Sequence, residues 1–308
     1  MLSVVIPSFN EEAMIAKTAE VISAILKDAD IDNELIFVDD GSKDTTWEKI
    51  TQTSEERNNV KGVNFSRNFG KEAAIYAGLA HSKGDCAVVI DCDLQHPPEK
   101  IVEMYRLWEE GYEVVEAVKS DRGKESPLHA FAAKSFYSLI SSATKIDMSR
   151  ASDFKLLDRK AVLAFLNMRE KDAFFRALSS WIGFKTIQID FEVQERTAGE
   201  SKWSTKSLIK YAITNITSFS AAPMQIVTIL GVLMFIVMVV FGAIAIIQKI
   251  IGVAASGFTT VILLQLFTGG VVMISLGIIG FYISKIYEEV KARPKFIVSE
   301  TCGDNEDK

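Results

Sequence analysis

Cysteine is too scarce and too scattered here to staple a fold. Cys86, Cys92 and Cys302 are odd in number and form no CxxC pair. That excludes a disulfide framework and suits reduced thiols on the cytosolic side of a membrane. A basic excess is also missing. The net charge of −6 argues against a general nucleic-acid binder, so no nucleic-acid partner is expected. No basic leader precedes the first strand-like segment, "LSVVIP", so no secretory signal is read. No GxGxxG follows that segment, which removes the dinucleotide-binding fingerprint.

The most telling absence is charge itself, over two long stretches. Residues 223–247, "PMQIVTILGVLMFIVMVVFGAIAII", carry none, and neither do residues 258–284, "FTTVILLQLFTGGVVMISLGIIGFYIS". About 20 apolar residues cross a hydrocarbon core, so each run is long enough to span it. The alternative, a pair of buried core helices, fits poorly with two uncharged runs of this length in one chain. Lys202, Lys206 and Lys210 precede the first run, and Lys285, Lys291, Arg293 and Lys295 follow the second. The loop between them holds only Lys249. The positive-inside rule then places both termini in the cytoplasm of a multi-pass protein of the cell membrane. No intramembrane charge or inverted repeat suggests a transporter.

Before the first run, Leu208, Ile209, Ala212, Ile213, Ile216 and Phe219 recur at helical spacing, edged by the three lysines. This pattern suits a helix lying in the headgroup plane, or one packed on the globular part. The expected organisation is a catalytic domain over 1–204, an amphipathic interfacial helix over 205–222, and membrane helices over 223–248 and 258–284. A short external loop, 249–257, joins the two membrane helices. A cytoplasmic tail, 285–308, ends in the acidic "SETCGDNEDK", which reads as disordered. Gly269, Gly270, Gly277 and Gly280 offer close helix packing and an expectation of homo-oligomers.

What is present in the first half is an alternation of strand and helix patterns. Strands are read at "LSVVIP", "ELIFVDD", "VKGVNFS", "DCAVVID" and "EVVEAVK". Helices are read at "EEAMIAKTAEVISAILKDA", with Glu11 and Glu12 in its first turn, "GKEAAIYAGLAHS" and "PEKIVEMYRLWEEG". Continuous apolar strands alternating with helices predict an α/β domain, its parallel sheet covered on both faces. Ligands of such sheets bind beyond the carboxyl ends of the strands. Strand one runs into "PSFNEE", strand two into "DDGSKDTT" and strand four into "DCD". One such cluster is ordinary turn chemistry, but three on the same edge predict a site.

Asp91 and Asp93, at i and i+2, point the same way from an extended chain. Two hard oxygen ligands at a strand tip suit Mg²⁺ or Mn²⁺ with positions left for substrate phosphates. A solvated loop is the plain alternative. His96 and His81 receive no catalytic role; His81 reads as the cap of its helix, and Gly70 as a helix start.

Taken in order, "PSFNE", "DDGS", "SRNFGK", "DCDLQHPPE", "SDFKLL" and "RTAGESKW" resemble the family 2 glycosyltransferases. The resemblance is closest to the polyprenyl-phosphate branch, which includes bacterial bactoprenol glucosyltransferases and dolichyl-phosphate mannose synthase. It implies a GT-A fold and an inverting transfer of one sugar from a nucleotide-sugar to a polyprenyl phosphate. Glucose from UDP-glucose fits the two-span branch best, with mannose from GDP-mannose as an alternative. A processive polysaccharide synthase would carry QxxRW and more spans, and neither is found. An inactive membrane-anchored sensor or scaffold is the remaining class.

By motif, the resemblance assigns Pro7, Phe9, Glu11, Asp39, Asp40 and Cys92 to the nucleotide. It gives the metal to Asp91, Asp93 and Gln95, and catalysis to Asp153, Asp93 and Arg196. Arg196 and Lys202 would close over the phosphates. Lys119 or Arg122 would meet the acceptor phosphate, Lys119 lacking an arginine's bidentate fork. Asp153 stands at the position of a base. A phosphate acceptor already ionises with a second pKa around 6, so orienting the acceptor is an equal reading for Asp153.

Overall fold

The computed structural model describes residues 1–119, 152–168, 175–176, 181–191, 222–252 and 257–303. Two units result, one formed by Met1–Ser204 with Pro294–Lys308 and the other by Thr205–Arg293.

The first unit is built on an eight-stranded sheet. Its strands are β1 (Leu2–Ser8), β2 (Asn33–Asp39), β3 (Val60–Phe65), β4 (Cys86–Val89), β5 (Val114–Lys119), β6 (Lys155–Asp158), β7 (Thr186–Phe191) and β8 (Val298–Cys302). They lie in the order β7-β5-β6-β4-β1-β2-β3-β8. The pairs β1–β2, β1–β4, β2–β3 and β5–β7 are parallel, whereas β6 and β8 run antiparallel to their neighbours.

Helices α1 (Ile15–Asp28), α2 (Thr46–Glu56), α3 (Lys71–His81), α4 (Lys100–Glu109) and α5 (Arg159–Leu166) surround this sheet. Every residue of β1 is buried, as expected of a strand covered on both faces. Along β2 the side chains alternate. Leu35 and Phe37 enter one core with Ile15, Ala19, Ile22 and Leu26 of α1, while Ile36 and Val38 enter the other with Ala73, Ala74 and Ala77 of α3. The doubly covered parallel arrangement read from the sequence is therefore the observed one, with antiparallel strands added.

Three local expectations are corrected. Helix α1 starts at Ile15, with no acidic residue in its first turn. Glu11 and Glu12 instead join the second loop: the Glu11 N–H donates to Thr46 Oγ1 at 2.9 Å, and the Glu12 carboxylate accepts from Thr45. Strand β4 ends at Val89, so Asp91 lies just past the ladder.

The third correction concerns the acidic tail, which is ordered through Gly303. Val298–Cys302 pairs antiparallel with β3, Phe296 stacks on Phe65 at 5.0 Å, and Trp47 Nε1 donates to Glu300 Oε2 at 2.8 Å. A polar strand is well suited to a sheet edge, where its outer side meets water. Polarity alone therefore misread it.

The second unit holds α6 (Ala222–Ile251) and α7 (Phe258–Val290). Val227–Gln248 and Leu264–Val290 have mean hydropathies of 3.0 and 2.1, are unburied, and are long and apolar enough to cross a membrane. Helix α7 continues past the apolar run through Lys285, Glu288 and Glu289. The region of the expected interfacial helix lies outside the described residues up to its last position. A Cβ at Gly269, Gly270, Gly277 or Gly280 would meet no described atom within 4 Å.

Candidate active site

The parallel register sets Ser8 beside Asp39, and the Ile90 N–H donates to the Val5 carbonyl at 3.0 Å. The carboxyl ends of β2, β1 and β4 therefore share one edge. A cleft of ≈330 Å³ opens there, lined by Pro7, Phe9, Glu11, Asp40, Lys71, Asp91 and Asp93 among others. Chain sections that are distant in sequence meet here because adjacent parallel strands all finish on the same side.

Each loop at this edge has its own local logic. Asp39 turns back on its own loop, accepting from the Ser42 N–H at 3.0 Å and its hydroxyl at 2.5 Å. Gly41 makes that turn possible: its φ is +66°, and a Cβ there would strike the Arg67 main chain. Asp40 faces the cleft and accepts from the main-chain N–H groups of Phe69, at 2.6 Å, and Gly70, at 2.9 Å. Gly70, φ +100°, is the N-cap of α3. Burial raises the Asp40 carboxyl pKa, and these two N–H groups oppose the rise.

At the β4 tip, Asp91 and Asp93 line the cleft. Cys92 between them is 2% exposed, its carbonyl accepting from Thr18 Oγ1 at 2.7 Å. Burial pushes the Cys92 thiol up to about 12, so it contributes packing and main chain to the cleft wall rather than a nucleophile. The Gln95 N–H donates to Asp93 Oδ1 at 3.0 Å, closing the turn that follows.

His96 is buried against Phe154, with ring centroids 5.2 Å apart. Its Nδ1 has no hydrogen-bond partner among the described residues and lies 4.0 Å from Asp91 Oδ2. Burial pushes the imidazole pKa down, against the pull of Asp91, and so favours the neutral ring. His81 Nδ1 donates to the Ala77 carbonyl at 2.8 Å, the capping contact read from the sequence.

Asp153 is buried just ahead of β6. Because β6 runs antiparallel to β4, with Val89 opposite Lys155, two more steps bring Asp91 and Asp153 level with each other. Lys71 joins them. Its Nζ donates to Asp91 Oδ1 at 2.6 Å and to Asp153 Oδ2 at 2.8 Å. Arg176 grips the other side of Asp153, Nε to Oδ1 at 2.6 Å and Nη2 to Oδ2 at 2.8 Å. Burial works to raise the Asp153 carboxyl, but Lys71 and Arg176 outweigh it and hold it well below the usual carboxylate range. Burial likewise opposes the Lys71 charge, and Asp153 and Asp91 overcome it, holding the ammonium above the usual lysine value.

Sequence reasoning missed Lys71 and Arg176. For Lys71 a signal existed: it is the first residue of α3, where the helix dipole disfavours a cation. A lysine in that place asks for carboxylate partners. Of the other expected residues, Lys119 ends β5, opposite Phe191 of β7. Arg122, Arg196 and Lys202 lie outside the described residues.

The donor set fits a divalent cation. No group of three His, Cys, Asp or Glu suited to a metal occurs among the described residues. Asp91 and Asp93 instead offer two carboxylates in an open cleft. That is the habit of Mg²⁺ sites completed by substrate phosphates rather than by an all-protein cage.

Residues 3–165 match the family model of glycosyl transferase family 2. Over 303 residues the chain is 39% identical to the uncharacterized glycosyltransferase YkcC of Bacillus subtilis, covering 98% of this chain and 94% of that one. It is 37% identical over 300 residues to a prophage bactoprenol glucosyl transferase homolog of Escherichia coli, covering 96% and 98%. In fold it resembles mannosyl-3-phosphoglycerate synthase from Rubrobacter xylanophilus. That likeness has a TM-score of 0.50 at 17% identity and covers 71% of this chain and 72% of the other. A family match across more than half of the residues, joined to relatives aligned over nearly the full length, means that the chain belongs to glycosyl transferase family 2.

Proposed function

We propose that the protein transfers one glucosyl residue from UDP-glucose to a polyprenyl phosphate at the cytoplasmic face of a membrane. The observation that carries this reading is the pair Asp91 and Asp93 at the strand-end cleft, on a chain that also bears two membrane-length apolar helices. The near-full-length likeness to a relative named for bactoprenol glucosyl transfer supports both the sugar and the lipid acceptor.

Pro7, Phe9, Glu11 and Asp39 would line the nucleotide, with Asp40 and Cys92 beside it. Asp91 and Asp93, with Gln95, would hold Mg²⁺ or Mn²⁺, which when bound neutralises charge gathering on the departing diphosphate. Arg196 and Lys202 would add cations to the same phosphates, and Lys119 or Arg122 would meet the acceptor. An acceptor phosphate oxygen bonds to the anomeric carbon as the bond to UDP breaks. UDP leaves with the electron pair, and the configuration inverts.

A phosphate with its second pKa around 6 needs no strong base near neutrality. Asp153, tied to two cations, serves as a fixed negative charge rather than as a proton acceptor.

Membranes containing the protein, given undecaprenyl phosphate and a panel of labelled nucleotide-sugars, test this directly. Lipid-linked label should appear from UDP-glucose and disappear with EDTA or with Asp91→Asn. Label from GDP-mannose instead would overturn the choice of sugar. Unchanged transfer by Asp91→Asn would overturn the metal role. No transfer from any donor would favour a sensor or scaffold.

A further inference from the structure

The cleft is strongly acidic for a place meant to hold phosphates. Four carboxylates line it, those of Glu11, Asp40, Asp91 and Asp93, and Lys71 is the cation among its described lining residues. Asp40 already takes the main-chain N–H groups of Phe69 and Gly70, just ahead of α3, so those two donors are not free for an anion. Lys71 is thus the described side chain in the cleft able to attract a phosphoryl oxygen by its charge. Yet its ammonium is occupied by two carboxylates.

Those two partners are unequal. Asp153 is nearly inaccessible and is locked from behind by Arg176. The Arg176 segment is pinned in turn. The Phe175 N–H donates to Glu72 Oε2 at 2.8 Å, the Arg176 carbonyl accepts from Lys155 Nζ at 3.1 Å, and the Phe175 ring meets Phe165 edge-on at 5.4 Å. Asp91, by contrast, is 29% exposed at a strand tip. A lysine on a flexible stem with three donors can give up the open partner and keep the fixed one.

Resting on the function proposed above, we infer that Lys71 is a phosphoryl-binding residue that exchanges partners. It holds Asp91 while the carboxylate pair is free of metal. It turns to a substrate phosphoryl oxygen when a divalent cation takes Asp91 and Asp93. Asp153 and Arg176 are its positioning residues.

Within the group formed by Asp91, Asp93, Asp153, Arg176 and Lys71, two carboxylates would offset a divalent ion and Asp153 offsets Arg176, leaving the Lys71 charge for the phosphate. The ammonium and the metal compete for one carboxylate, so the acidic cleft keeps a cation in either state. The phosphoryl oxygen belongs either to the donor diphosphate or to the acceptor monophosphate, and kinetics separate the two.

The test uses the full chain in nanodiscs with Lys71→Met, Lys71→Gln and Lys71→Arg. Mn²⁺ binding without nucleotide is followed by electron paramagnetic resonance, and KM is measured for UDP-glucose and for undecaprenyl phosphate. Losing one exposed ion pair at Asp91 should tighten Mn²⁺ binding by about threefold to fivefold in Lys71→Met. The same variant should raise KM by about tenfold for at least one substrate, as loss of a charged hydrogen bond predicts. The substrate affected names the phosphate. Lys71→Arg should restore both values toward those of the unaltered protein.

Mn²⁺ affinity unchanged or weakened in Lys71→Met, or both KM values unchanged, overturns the inference. Should Lys71→Met fail to fold, Lys71→Gln is read by the same criteria. Absence of turnover in the unaltered protein would count against the proposed function instead, and the Mn²⁺ measurement would still decide the exchange.

Discussion

Lys155 and Glu116 form an ion pair at 2.6 Å between directly opposed residues of β6 and β5, with the lysine side chain 0% exposed. Gln188 Nε2 donates to the other Glu116 oxygen at 3.1 Å, and Lys155 also reaches the Arg176 carbonyl. Burial pushes the Lys155 pKa down against the pull of Glu116. The pair sits directly behind Asp153, two residues away along the chain.

Breaking one half of that pair should be costly. Lys155→Met leaves Glu116 charged and buried, a loss of about 3–5 kcal/mol for pairs of this kind. The double change Lys155→Met with Glu116→Met should recover much of it, because no lone charge remains. Urea unfolding of the two variants and the unaltered protein checks this. A single variant as stable as the unaltered protein would show that the pair carries no such load.

Glu72 gives the fold a pH signature. Burial and the neighbouring Asp153 raise its carboxyl to about 7 from 4.5, with the Phe175 N–H opposing. A raised folded-state pKa means the folded protein binds the proton more tightly. Its contribution is complete below 4.5 and is lost as pH rises through about 7. Melting temperature should therefore fall from pH 5 to pH 8 in part through Glu72, and Glu72→Gln should flatten that slope. Parallel melting curves for the two proteins across this range would refute the assignment.

The C-terminal strand should be structural. Phe296 packs on Phe65, Lys295 lies 4.0 Å over the Tyr76 ring, and β8 covers the β3 edge. Ending the chain after Arg293 should lower the melting temperature of the detergent-solubilised protein and expose β3 to pairing between copies. Phe296→Ala alone should cost about 1–3 kcal/mol for a half-buried aromatic ring. Truncation without change in melting or aggregation would mean the strand is dispensable.

Thiol labelling should follow burial. Cys86 and Cys92 are buried, with burial pushing both thiols up, while Cys302 is partly exposed. Iodoacetamide at pH 8 should modify Cys302 first and leave the other two until unfolding, as peptide mass spectrometry will show. Early labelling of Cys92 would contradict the packing around Thr18.

Much of the catalytic unit was legible in the chain. Strands β1 to β5 announce themselves through continuous apolar runs, because a strand buried on both faces can carry little else. The turn at Gly41 and the tip at Asp91 and Asp93 follow from local rules about φ and alternation. β6, β7 and β8 were not legible. β6 contributes four residues, β7 is largely solvent-facing, and β8 is polar along an edge. Short or exposed strands have no periodicity long enough to read.

The sequence by itself determined the class of fold, the two apolar helices, and a carboxylate pair at the end of a strand. These are consequences of spacing within a few residues. Only the tertiary structure decided what stands beside that pair. β6 returns antiparallel next to β4 and brings Asp153 level with Asp91, Lys71 bridges them from the start of α3, and Arg176 closes the group. Partners separated by up to 82 residues meet through strand order and register, and pairings over that distance leave no local periodicity in the chain.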